Sequence, residues 1–334
     1  MVMQAAADNL DIDLDVVYSK SNTYSNRKDG LALLKNKEKP DYFLTGYWSG
    51  ATNDLLQEAE KQGIKTFIFN SGINAKDRNK LGGPRDKYRS WIGQMTPDDE
   101  QAGFELAGWL AKKATASGGT NQETHMIGIG GQGDSEAEHA QRSGLNSYFK
   151  DHKDAVLDTF LYAGWSQAIA YQSLSEALKT YPLASAIWSN TSTMALGGIQ
   201  AARKLGKIPG KDIFVGGIGW PQQALESIAA GDMEVALGGH FLEGAWALIL
   251  LYDYQYGHDF ADDLGVEFHT VYLTITADNA QTYLDSDTDT NWNEVDFKRY
   301  SKTYNPGLKK YRWPLEDILK QLRTTKTHGS SHDR

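Results

Sequence analysis

The sequence predicts an α/β protein of two Rossmann-like, doubly wound parallel-sheet lobes joined by a hinge. Three observations predict it. Six short apolar runs each stop at a glycine or small polar residue and lead into a helical pattern: Asp41–Gly46, Lys65–Asn70, His125–Gly130, Thr159–Gly164, Ala186–Asn190 and Asp212–Gly217. Repeated strand–loop–helix units build parallel sheets with helices on both faces. The order of elements in the first half recurs in the second. Finally, 334 residues exceed the usual span of one domain, about 100–200 residues.

The elements follow in order. Met1–Leu10 reads as the body of a helix. Then come strand Leu14–Tyr18, helix Asn26–Lys35, strand Tyr42–Thr45, helix Thr52–Gln62 and strand Thr66–Phe69. A polar loop holding Gly82-Gly83-Pro84 fills Ser71–Arg89. Strand Ser90–Gly93 leads to a helix from Pro97 to Ala114, where Pro at the start and Asp98, Asp99 and Glu100 behind it suit the positive end of the dipole. Thr115–Thr124, rich in Ser, Gly and Thr, is the crossover between lobes. The second half reads as strand Met126–Ile129, helix Glu136–Lys150, strand Val156–Tyr162, helix Ala168–Thr180, strand Ala186–Trp188 and helix Met194–Leu205. It continues with strand Ile213–Gly216, helix Pro221–Ala230, strand Glu234–Gly238, helix Leu242–Tyr256 and strand Glu267–Ile275. Asp285–Arg312 is acidic, then aromatic, with Trp292, Phe297, Tyr300, Tyr304 and Tyr311, followed by Trp313. It reads as an irregular wrap laid on a lobe surface. A short helix opens at Trp313, and the residues after Thr324 read as a disordered tail. The predicted division is 1–114 for the first lobe, 115–241 for the second, 242–276 for a return to the first, 277–323 for the wrap and 324–334 for the tail.

Composition narrows the function classes. Net charge is −9 without a basic cluster, which argues against a nucleic-acid partner. Cysteine is absent, so disulfides, thiolate catalysis and Cys-type zinc sites are excluded. The eight histidines form no H-E-x-x-H motif, and no G-x-S-x-G elbow occurs. Metal, cofactor and catalytic residues are therefore expected to be absent. Gly128-Ile-Gly-Gly-Gln-Gly133 matches the dinucleotide fingerprint G-x-G-x-x-G. The following strand, however, ends at Ala163-Gly164-Trp165 with no acid for a ribose hydroxyl, so a tight turn at a ligand cleft is the favoured reading.

Three tryptophans, Trp48, Trp165 and Trp220, stand at the ends of predicted strands. Parallel sheets bind ligands at the carboxyl ends of their strands. A sugar ring offers an apolar face to an aromatic and an edge of hydroxyls to polar side chains. Asn70, Asp99, Gln141, Arg142, Asn190, Thr191 and His240 occupy similar loop or helix-start positions. Trp165 and Trp220 are expected as opposing apolar walls of the cleft, and Trp109 and Trp246 as core.

Four segments carry a resemblance: Trp91–Gly103 continuing through Ala107-Gly-Trp-Leu-Ala-Lys-Lys113, Gln141-Arg-Ser-Gly-Leu145, Asn190–Gly197 and Val215–Ile228. In order and spacing they resemble type I periplasmic binding proteins of ABC transporters, the ribose-binding-like class, from Met3 to Ile275. The long C-terminal wrap is similar to that of longer members, such as receptors for the furanosyl quorum signal. The resemblance implies a monomeric Venus-flytrap protein of the periplasm. Such a protein captures a sugar-like small molecule between its lobes and presents it to an ABC permease or, alternatively, to a membrane sensor kinase. A repressor effector domain would need a helix-turn-helix that is absent here. By position, Asp99 matches the family's pocket Asn, Trp165 its aromatic stacker, Gln141 (with Arg142 adjacent) its pocket Arg, and Thr191 (beside Asn190) its pocket Asn. Gly219 replaces a pocket Asp, and His240 stands in for a Gln. These departures point away from a simple pentose or hexose. The resemblance also implies a missing first strand between Leu14–Val17 and Tyr42–Thr45, with a signal peptide and that strand expected upstream.

Overall fold

Strands that are covered on both faces read as continuous apolar runs, and this chain builds two parallel sheets from such runs. The structure is a computed structural model and describes residues 1–19, 22–117, 123–133, 136–287, 292–312 and 314–329. It divides into two compact units. The first holds Met1–Pro97, His240–Val271 and Asn291–Arg334; the second holds Asp98–Gly239 and Tyr272–Thr290.

In the first unit the chain forms α1 (Val2–Asn9), α2 (Thr23–Leu34), β1 (Tyr42–Thr45), α3 (Ala51–Gln62), β2 (Lys65–Phe69), α4 (Ala75–Leu81) and β3 (Trp91–Pro97). In the second it forms α5 (Asp99–Ala116), β4 (Thr124–Gly130), α6 (Glu136–Asp151), β5 (Ala155–Tyr162), α7 (Gln167–Thr180), β6 (Ala186–Ser189), α8 (Ser192–Lys204), β7 (Phe214–Ile218), α9 (Gln222–Ala229) and β8 (Val235–Gly238). α10 (Glu243–Gln255), α11 (Ala261–Leu264) and β9 (Glu267–Thr270) return to the first unit. β10 (Leu273–Ile275) and α12 (Ala280–Asp287) belong to the second, and α13 (Leu315–Gly329) to the first.

The first sheet has the order β1-β2-β3-β9, all parallel. Its centre, β3, is buried along its whole length. The second has the order β10-β8-β7-β6-β4-β5, parallel except for β10, which runs antiparallel to β8. Met126, Ile127, Ile187, Trp188 and Val215 form its buried interior. Against this sheet α5 and α6 cross with their backbones touching. A Cβ at Gly103 would lie 1.9 Å from the Gln141 carbonyl oxygen, and one at Gly144 would lie 1.9 Å from that of Glu100. Only hydrogen fits at either position.

In the first unit, residues 292–312 are tied to α10 through one carboxylate. Asp253 is fully buried. It accepts hydrogen bonds from Ser301 Oγ (2.5 Å), the Lys302 and Thr303 amides (2.7 and 3.0 Å) and the Tyr311 hydroxyl (2.9 Å).

Several elements differ from the sequence reading. Leu14–Tyr18 is not a strand: residues 12–19 carry no regular structure, and Val16, Val17 and Tyr18 are exposed. β1 pairs with β2 alone, and among the described residues no strand flanks its other edge. A short apolar run with no hydrogen-bonding neighbour does not hold a strand conformation. The loop Ser71–Arg89 contains α4, started by the Asn74 side chain accepting from the Asp77 amide at 2.7 Å. Pro97 ends β3 rather than opening a helix; Asp98 is the N-cap of α5, and its side chain accepts from the Gln101 amide. α5 therefore falls in the second unit, where the sequence division put it in the first. Glu267–Ile275 is two strands in two sheets, split at Val271-Tyr272.

The wrap is less irregular than expected. Its span of 277–323 contains α12, which belongs to the second unit, and 3₁₀ turns at Trp292–Glu294 and Phe297–Tyr300, which belong to the first. Residues 324–329, expected to be disordered, continue α13, whose Ile318, Leu319 and Leu322 are buried and anchor the helix. Trp313, residues 118–122 of the crossover and the last five residues of the expected tail lie outside the described residues.

Candidate ligand-binding site

In the second unit the carboxyl ends of β5, β6 and β7 carry Trp165, Asn190 with Thr191, and Trp220, while Asp99 opens α5 and Gln141 and Arg142 lie on α6. Gln141, on α6, is buried between two partners. Its Nε2 donates to Asp99 Oδ1 at 2.6 Å, and its Oε1 accepts from Asn190 Nδ2 at 2.6 Å. Asn190, just past β6, accepts from the Gly131 amide at 3.3 Å. The Tyr272 hydroxyl donates to the same Asp99 oxygen at 2.8 Å. Asp99, Gln141 and Asn190 thus belong to one hydrogen-bonded chain, which also enlists Tyr272 and Gly131.

Trp165 stands beside this chain. It is one of four non-glycine residues with positive φ among the described residues, at +62°, and follows Gly164 at +55°. The turn is held by the Ala163 and Gly164 amides, which donate to the Gly130 and Gly131 carbonyls at 2.9 Å each. Such backbone costs about 1–2 kcal/mol for a side chain with a Cβ. Strain of this kind is concentrated at functional positions. Here it lays the indole over Gly131, where a Cβ would come within 2.1 Å of the ring. The indole remains 36% exposed.

The glycines of the apparent dinucleotide fingerprint have the same kind of purpose. Cβ atoms at Gly128 and Gly130 would strike the Phe160 ring at 2.5 and 2.8 Å. They make room for aromatic rings.

Arg142 lies 4.8 Å over the Phe160 ring and donates to the Tyr162 hydroxyl. Thr191 is the N-cap of α8, with its hydroxyl accepting from the Met194 amide at 3.2 Å. Trp220 packs on Gly238, where a Cβ would meet the ring at 2.8 Å, and against Tyr283 at 5.1 Å between centroids. It is half-buried. Trp165 and Trp220 rise from the same sheet edge, after β5 and β7, with β4 and β6 between them. At about 4.8 Å per strand their strand axes stand about 14 Å apart. Trp246 is buried, as expected, whereas Trp109 is half-buried and packs on the edge of the core.

The first unit has its own set at the carboxyl edge of its sheet. Asn70 ends β2 in the left-handed region, φ +66°, a conformation Asn tolerates better than most residues. Its Nδ2 reaches Glu243 Oε2 at 3.5 Å. Glu243 is buried at the first position of α10, where the helix dipole favours a carboxylate. Its other oxygen accepts from the Thr270 hydroxyl. Trp48 is half-buried in the turn into α3, with its amide donating to Thr52 Oγ1 at 2.8 Å. His240 lies in the 3₁₀ turn before α10, where burial pushes its imidazole below the ordinary range and favours the neutral ring.

A family model for the periplasmic binding protein domain matches residues 3–259. The chain belongs to the periplasmic binding protein family. It is a type I member, a solute-binding protein, with the two parallel sheets that the sequence resemblance implied. The D-allose-binding periplasmic protein of Escherichia coli (strain K12) is 28% identical over 251 residues, which are 74% of this chain and 76% of that protein. A solved periplasmic sugar-binding protein from Pseudomonas fluorescens superposes with a TM-score of 0.83 at 29% identity, covering 96% of this chain and 93% of that one. An ABC transporter periplasmic solute-binding protein from Actinobacillus succinogenes 130z, solved with bound D-allose, shares the fold with a TM-score of 0.71. It is 19% identical and covers 84% of this chain and 92% of its own.

For this periplasmic binding protein, sequence reasoning missed Tyr272, Glu243 and Thr270. Tyr272 was hidden because Glu267–Ile275 reads as one strand. Glu243 stands three residues after His240, a position the sequence had singled out.

Proposed function

We propose that this chain captures a sugar or sugar-like compound in the periplasm and presents it, unaltered, to an ABC permease. One observation carries the reading: the indole of Trp165 lies over Gly131, and the Gly131 amide is the end of the Asn190–Gln141–Asp99–Tyr272 chain. An aromatic face beside fixed acceptors and donors suits the C–H face and hydroxyl edge of a sugar ring. The family membership and the D-allose-binding relative support the same class. The binding residues of this proposal are Asp99, Asn190, Trp165, Trp220 and Arg142 in the second unit, with Thr191 at the start of α8. Asn70, Trp48 and His240 are those of the first, with Gln141 behind Asp99. Among the described residues no group of three His, Asp or Glu side chains could hold a metal ion, and the reading needs none.

The test is thermal unfolding with a panel of D-allose, L-arabinose, D-galactose and myo-inositol, against nucleotides and amino acids. A ligand at about 100 times its Kd adds about 2.7 kcal/mol to stability. A rise in Tm with one or more sugars, and recovery of the sugar unchanged, supports the proposal. A rise with nucleotides or amino acids alone, or turnover of the bound compound, overturns it.

A further inference from the structure

We propose that Gln141 is a positioning residue, a directional relay that couples the Asp99 carboxylate to the orientation of the Asn190 amide without itself touching the ligand. This deepens the proposed function and rests on it for the ligand's place at this sheet edge. Gln141 is only 5% exposed, and both ends of its amide are used. Asp99 can only accept, so it must face Nε2. That leaves Oε1 toward Asn190, which must then present Nδ2. Asn190 is thereby left with Oδ1 toward the Gly131 amide. Turning the Gln141 amide over would set oxygen against carboxylate and NH₂ against NH₂. The chain therefore has one orientation, set by the charge on Asp99.

The helix crossing supplies the distance. Gly103 and Gly144 let α5 and α6 meet backbone to backbone, which brings Gln141 to 2.6 Å from Asp99. Among the described residues, the ionisable groups around position 141 come from α5, α6 and the segment ahead of β10. On α5 stand Asp99 and Glu100, the latter accepting from Ser143 Oγ at 3.0 Å. On α6 stand Glu138, His139 and Arg142; Arg142 is engaged with Phe160 and Tyr162, and His139 with the Gly133 carbonyl at 2.6 Å. Tyr272 donates to Asp99 ahead of β10. Just past the ends of β4 and β6 stand the uncharged Gly131 and Asn190. At position 141 an amide is thus a donor to a carboxylate, and its acid isostere can be one only when protonated.

Q141E changes one NH₂ group to oxygen and nothing in shape. Two carboxyl groups in hydrogen-bond contact cannot both ionise freely, so they share a proton as pH falls. The relay predicts that unliganded Q141E melts about 5 °C below wild type at about pH 8 and regains most of that deficit at about pH 5. Q141A should melt low by a similar amount at both values. In calorimetry with D-allose as the probe, Q141E should bind about 10- to 100-fold more weakly at the higher pH, the worth of a buried hydrogen bond to a charged group, and recover at the lower. A pH-independent deficit in Q141E, or folded Q141A with wild-type D-allose affinity, overturns the relay. If wild type fails to bind D-allose or any other sugar, the proposed function fails instead, and the unliganded melting profile still decides the relay.

Discussion

Gly103→Ala is the most informative single change. In most exposed helix interiors this substitution stabilises by about 0.8–1 kcal/mol, because Ala is the better helix former. Here the new methyl would stand 1.9 Å from the Gln141 carbonyl oxygen. An ordinary carbon–oxygen contact is about 3.4 Å. α6 must therefore retreat by about 1.5 Å, since backbone, unlike a flexible side chain, cannot swing aside. That retreat stretches the 2.6 Å bond from Gln141 to Asp99 beyond hydrogen-bond range. Overpacking costs about 1–3 kcal/mol, and a lost hydrogen bond to a charged group about 1.5–3 kcal/mol. Set against the helix-propensity gain, the net destabilisation is about 1.5–5 kcal/mol. For a unit of this size that is about 3–20 °C in Tm. Differential scanning calorimetry of wild type and G103A measures it, and sugar affinity should fall with it. Gly144→Ala offends the same crossing from the other side, so the double variant should cost less than the sum of the two. A G103A protein as stable as wild type, or more so, would refute the close-crossing argument.

The other predictions concern separate parts of the molecule. W165A should weaken sugar binding by about 2 kcal/mol, or about 30-fold, as loss of an aromatic hot spot does; titration calorimetry reads it, and unchanged affinity would remove Trp165 from the site. W220A should lose both affinity and stability, because its ring also packs on Gly238 and Tyr283; urea unfolding beside the binding assay separates the two. D253A strips the acceptor from four donors in residues 301–311 and should cost about 3–5 kcal/mol. New protease cleavage sites within residues 292–312 should accompany it. Arg85 holds the Asp259 carboxyl below the ordinary carboxylate range through paired bonds of 2.6 and 2.7 Å. A carboxyl depressed in the folded state contributes stability above its unfolded pKa, about 3.9, and loses it as pH falls through the folded value. The urea midpoint of wild type should therefore drop more steeply below about pH 4 than that of D259N.

The sequence by itself determined the architecture. Alternation of apolar strand runs with helical periods specifies parallel sheets locally, because each run carries its own burial pattern and stop signal. Asn70, Trp165 and Asn190 could be placed at strand ends for the same reason. Tertiary structure alone decided what those ends do. Gln141 falls at the position of a pocket arginine by spacing, yet its amide is spent on Asp99 and Asn190. That follows from a helix crossing made by two glycines 41 residues apart, Gly103 and Gly144. Tyr272 reaches Asp99 from 173 residues away, and Glu243 meets Asn70 across a similar distance in sequence. Leu14–Tyr18 carries the residues of a strand but no neighbour to pair with. Periodicity and capping are short-range and are written into neighbouring residues. Which polar groups meet depends on how whole helices and strands stack, and no local pattern encodes that.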